Sequence, residues 1–174
     1  MTETRLPRIA GALYVLSVGA LVIIPILIAL ALFSPSLALF ELPKFTEIPR
    51  AQWGLLTWIG LFSGFLPAPF FWMAVNAMRR LFGVYRLGDP LAPNVGPLIK
   101  SIGTNLLYGA LLGVAVVPIQ SSLMSWANPA GERMVAVSLS SNSVGFFLVA
   151  GLLILIGWSM TEATRIAAEN REFV

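Results

Sequence analysis

Residues 101–126 read SIGTNLLYGALLGVAVVPIQSSLMSW, and no Asp, Glu, Lys or Arg interrupts the chain between Lys100 and Glu132. A helix needs about 20 predominantly apolar residues to cross roughly 30 Å of hydrocarbon. In lipid the backbone must satisfy its own polar groups, which leaves helices and closed barrels. A continuous apolar run without strict alternation selects the helix. Outward from this stretch, charge-free windows recur between Arg8 and Glu41, Arg50 and Arg79, and Arg133 and Glu162. The pattern predicts an all-α, polytopic membrane protein: one four-transmembrane-helix bundle over residues 1–174. Its spans are expected near 10–33, 53–78, 102–126 and 136–160.

Composition agrees. Of 174 residues, 57% are hydrophobic and 11% charged, against about 25% charged in soluble domains. There is no Cys and no His. That removes disulfides, thiol nucleophiles, imidazole bases and the usual zinc ligands. No cofactor or metal is expected. Nor is an enzyme, because no acid lies within a span to support proton transfer or nucleophilic chemistry. The first apolar run is far longer than the 7–15 residues of a signal peptide and is read as a retained anchor.

Orientation follows from Lys and Arg. The N-terminal tail (Arg5, Arg8), the 79–101 loop (Arg79, Arg80, Arg86, Lys100) and the C-terminal tail (Arg165, Arg171) hold eight; the other side holds Lys44, Arg50 and Arg133. The positive-inside bias puts both termini and that loop in the cytoplasm of an inner-membrane protein. Trp53 and Trp126 then mark the outer interface and Trp158 the inner one.

Within the spans, Gly60/Gly64 and Gly109/Gly113 form GxxxG pairs that suit close helix contacts, inside the bundle or in a homo-oligomer. Asn76, Asn105 and Asn142 are intramembrane amides that serve as interhelical glue or line a polar path. Pro25, Pro67, Pro69 and Pro118 each remove a backbone donor and kink their helices. A helix broken at mid-depth by Pro67 and Pro69 is also a pointer to a transporter site. The outer loop, residues 34–52, carries three prolines and no recognisable site.

The polar residues concentrate on the cytoplasmic face. Gly83 is a candidate helix stop. Gly88-Asp89-Pro90 is read as a rigid turn, followed by a short helix from Pro93-Asn94 into the third span. The 161–174 tail continues the fourth helix, with Glu162, Arg165 and Glu169 at ion-pair spacing and a narrow apolar face of Ala163, Ile166 and Ala167. The docking surface expected for a partner comprises Arg79, Arg80, Tyr85, Arg86, Asp89, Glu162, Arg165 and Glu169.

Leu81-Phe82, Tyr85-Arg86, Gly88-Asp89-Pro90, Asn94 and Ile102-Gly103, with a tail of Glu162, Ala163, Ile166, Glu169 and Phe173-Val174, resemble a bacterial four-span family catalogued as domain of unknown function 2975. The sequence departs from it at Leu91, where the family tends to have an aromatic, and in having Lys100 as the only charge over 92–101. The resemblance implies the company of small helix-turn-helix regulators, hence a membrane protein that holds or senses through a cytoplasmic transcriptional regulator. The alternative is a small transporter or channel for a neutral or amphipathic solute, through Asn76, Asn105 and Asn142. Direct nucleic-acid binding is not expected, because topology accounts for the cytoplasmic charges.

Overall fold

The computed structural model describes residues 5–33, 45–46 and 48–172. Most of the expected outer loop (34–44) and the terminal Phe173-Val174 lie outside the described residues. The described residues are helical apart from their connections: α1 (Arg5–Phe33), α2 (Leu55–Ser63), α3 (Ala68–Arg86), α4 (Val95–Ser125) and α5 (Ser141–Glu172), with a 3-10 turn at Arg50–Gln52. Four stretches are long and apolar enough to span a membrane: Leu6–Leu30, Leu55–Arg86, Val95–Ser125 and Ser141–Glu169. The chain is a multi-pass membrane protein. The end that carries Arg79, Arg80 and Lys100 is called the basic end below, and the opposite one the far end.

Prolines set the irregularities. Pro67 and Pro69 have no N–H to offer Ser63 and Phe65, so the expected kink is a break. Across it the bonds tighten to i→i+3: Leu66 N–H donates to Ser63 O (3.1 Å) and Ala68 N–H to Phe65 O (3.0 Å). Pro25 lies inside α1 and leaves the Leu21 carbonyl without its helical donor. The indole Nε1–H of Trp72, on α3, donates to that carbonyl at 3.3 Å.

Gly83 does not stop α3. Its bare backbone faces the Tyr14 ring, where a Cβ would stand 3.6 Å away, and the helix continues to Arg86. The stop is Gly88, at φ +82, with Leu87 N–H bonded to Val84 O and Gly88 N–H to Tyr85 O. The non-helical part of the expected 79–101 loop is therefore only 87–94. The helix expected from Asn94 is the start of α4 itself.

Contacts run in a row, α1 to α3 to α4 to α5, with α2 laid against the far half of α4. The central helix, α4, supplies Val95, Ile99, Ile102 and Leu106 to a core completed by Ala74, Ala77 and Leu81 of α3 and Ala150 of α5. Both GxxxG pairs are used inside the chain. Gly60 and Gly64 face Met124 and Gln120 of α4, and Gly109 and Gly113 face Phe71 and Pro67.

The closest seam joins α4 to α5. A Cβ on Gly157 would stand 2.5 Å from Lys100 N, one on Gly103 2.7 Å from Ala150 O, and one on Gly96 2.7 Å from Thr161 N. These pairings fix an antiparallel register in which Thr161 is level with Gly96, so the eleven residues to Glu172 continue about 16 Å past the start of α4. The same register draws the other end of α5 inward. The helix expected from 136 begins at Ser141, because Ser140 is its N-cap. Ser140 Oγ accepts from Ser143 N–H (3.2 Å), and its carbonyl accepts from Val144 N–H (3.3 Å).

Residues 133–140 form a strap instead of helix. Met134 N–H donates to Ser125 Oγ (3.1 Å) and Ala136 N–H to Ser121 Oγ (2.8 Å). Two strap residues therefore cover four residues of α4, about 6 Å of helix, which matches extended backbone at about 3.3 Å per residue. The far-end connection is tied down as well: Asn128, nearly fully buried, accepts from Thr46 Oγ1 (3.0 Å) and donates to Phe45 O (3.3 Å).

Candidate functional site

Two regions collect the polar chemistry, one at the basic end and one at mid-depth.

At the basic end the expected docking residues divide into two groups. α3 and α5 share no backbone contact. On the α3 side, Arg86 lies over the Tyr14 ring, 4.7 Å from its centroid, and its aliphatic stem passes Gly11. Arg79 donates from Nε to Asn76 Oδ1 (3.2 Å). Tyr85 is half-buried against the core. Arg80 is exposed and, with Arg86, lines a cleft of about 510 Å³ with Tyr14, Val84, Asn94 and Leu98. Asp89 is exposed in the 87–94 turn.

On the α5 side stands the projecting helix end. Arg165 Nε and Nη2 donate to Glu162, and Nη1 donates to Glu169 Oε1 at 3.1 Å. Both expected ion pairs form, and both are solvent-exposed. Ile166 is 48% exposed on the same helix, and residues 162–169 are exposed apart from half-buried Thr164. The root of the tail, at Met160 and Thr161, meets the start of α4.

At mid-depth a cleft of about 450 Å³ opens where α3 and α5 both begin. Pro67, Gly113, Phe71, Ser140, Asn142 and Ser143 line it. Gly113 is halfway between Lys100 and Trp126, so mid-depth here means the middle of α4, beside which the first turn of α5 begins. The three expected amides do not converge there. Asn142 lines the cleft, Asn76 is engaged with Arg79, and Asn105 donates back to Ser101 O at 2.7 Å.

Aromatic–cation pairs stand near the two ends of α4. Lys100 Nζ is 5.3 Å from the Trp158 ring, and the Arg133 guanidinium is 4.5 Å from the Trp126 ring.

Sequence reasoning missed the α4–α5 seam, the strap clamp and Tyr14. The seam had a visible trace: Gly96 and Gly103, like Ala150 and Gly157, are seven apart, the spacing of one helix face. The clamp left a weaker one in Ser121 and Ser125, one turn apart near the end of an apolar run. No family model, curated protein or solved structure matches the chain.

Proposed function

We propose that this is an interaction protein of the bacterial inner membrane that holds a cytoplasmic partner on the projecting end of α5. The observation that carries the reading is the overshoot. Residues 162–172 stay helical about 16 Å past the start of α4, with Ala163, Ile166 and Ala167 all exposed. A helix that leaves its bundle with an unmatched apolar stripe suits helix-in-groove recognition. The positive-inside distribution supports a cytoplasmic position for both termini. The resemblance noted above favours a small helix-turn-helix regulator as the partner.

The test is co-purification of the full chain from its native membrane beside Ile166→Asp. Recovery of a sequence-specific DNA-binding protein with the parent, and its loss from a normally inserted variant, is expected. Equal recovery with both would refute the surface, and recovery of no such regulator would refute the partner.

A second reading is favoured by one observation. The N-termini of α3 and α5 meet at the mid-depth cleft, and no hydrogen bond within the described chain engages the backbone of Val135, Val137 or Leu139. Non-helical backbone at membrane depth is tolerated where protein covers it or where it lines a water-filled cavity. On this reading the cleft admits a small neutral solute from the far side. Solute flux into vesicles that is reduced in Asn142→Leu would support it, and unchanged flux would reject it.

A further inference from the structure

The basic-end cleft has a chemistry that partner docking does not use. Three elements build it. α1 supplies Tyr14, α3 supplies Arg80, Val84 and Arg86, and the start of α4 supplies Asn94 and Leu98. No carboxylate lines it. The only described ion pairs in the chain, those of Arg165, belong to α5. Arg80 has no hydrogen bond or ion pair with any described residue. Arg86 is held in place. Its guanidinium rests on the Tyr14 ring, and its stem passes Gly11 of α1.

Depth and backbone complete the picture. Gly109 opposes Phe71 and Gly113 opposes Pro67. Continued in register, this pairing brings Arg80 level with Lys100, whose ammonium meets Trp158 as interfacial residues do. Asn94 is the N-cap residue of α4, and its side chain makes no capping bond, so its amide remains free. The carbonyl end of α3 opens on the same cleft and by itself disfavours an anion. Two guanidiniums with no carboxylate beside them outweigh it.

We propose that this cleft binds the phosphate of an anionic lipid headgroup, with Arg80 and Arg86 as its ligands, Tyr14 as the positioning residue for Arg86, and Asn94 as a further donor. Guanidinium forks match phosphate oxygens with paired, charge-assisted hydrogen bonds. Basic pockets at headgroup level between membrane helices take such lipids. The apolar walls at Val84 and Leu98 suit the upper acyl chain. The site is separate from the α5 tail, so it stands or falls independently of the proposed partner.

The experiment titrates the purified full chain, in nanodiscs of phosphatidylcholine, with phosphatidylglycerol, and reads bound lipid by native mass spectrometry and thermal stability. Phosphatidylglycerol should be retained in preference to phosphatidylcholine, with roughly a fivefold loss of that preference for each guanidinium removed, in Arg80→Gln and in Arg86→Gln. Arg80→Gln breaks no hydrogen bond or ion pair with a described residue, so it remains informative if Arg86→Gln folds poorly. Tyr14→Leu should weaken the preference, while Tyr14→Phe, which keeps a ring under Arg86, should retain it, with thermal stability in pure phosphatidylcholine read for both to separate positioning from packing. Lys100→Gln, at the same depth on the α5 side, should leave it unchanged. Inorganic phosphate titrated alone distinguishes the source. Equal protection by the free anion would keep the phosphate chemistry but overturn the lipid assignment. No headgroup preference in the parent, or an undiminished one in Arg80→Gln, would overturn the site.

Discussion

The two ends of α5 are built in opposite ways from one cause. At the basic end the helix continues past its neighbour into open space. At the other end it starts at mid-depth, and an extended strap covers the remaining distance. Both follow from the register locked by Gly96, Gly103 and Gly157, where backbones approach too closely for any side chain. Sliding α5 toward the far side would lengthen the helix there and shorten the tail. The helix end offered to a partner and the strap at the far side are thus two consequences of one packing seam.

The largest expected effect breaks that seam. Gly157→Leu places its Cβ against the Lys100 backbone, which cannot yield as a flexible side chain does. It should destabilise the fold by about 3 kcal/mol or more, measured by denaturant titration in mixed micelles. Gly151→Leu, on the same helix with nothing within 4 Å of its Cβ, should cost less than about 1 kcal/mol. Equal effects would show that the seam does not hold the register.

The far end should respond more weakly, because hydroxyls hold it rather than backbone contact. Ser121 is fully buried. Ser121→Ala leaves the Ala136 N–H without its acceptor and should cost about 1–2 kcal/mol by the same titration.

Ser140→Ala removes the N-cap of α5 and should cost about 1 kcal/mol, read by hydrogen exchange in the first turn of that helix. At the basic end, Arg165→Ala should leave global unfolding unchanged, because both of its ion pairs are solvent-exposed. The helix signal of the tail alone should fall, measured by circular dichroism. A global effect there would mean that the tail packs on the body.

The sequence made the spans legible because charge-free length is a strong constraint in lipid, and each window overlaps one of the four stretches long and apolar enough to span. It misplaced the start of α5 because Met134, Val135, Ala136, Val137 and Leu139 are as apolar as a helix. Hydropathy carries no information on whether Ser121 and Ser125 will capture their backbone. Gly83 misled because a glycine inside a long helix carries the same local signal as one that ends it, and only the backbone at Gly88, at φ +82, makes the stop. The tail ion pairs were readable because i, i+3 and i, i+4 neighbours are local. The separation of that tail from Arg79, Arg80 and Arg86 was not, since it depends on the order in which helices pack. Tyr14 was invisible because only the α1–α3 contact gives it a role.

The most direct test of the shifted register is a single-cysteine spin-label scan over 133–170, aided by the absence of any native cysteine. Oxygen and nickel-chelate accessibility should alternate with period two over 133–139, follow a 3.6-residue period from 141, and reach full water exposure beyond Thr161. A helical period running unbroken from 136, with its deepest point near 148, would contradict the account.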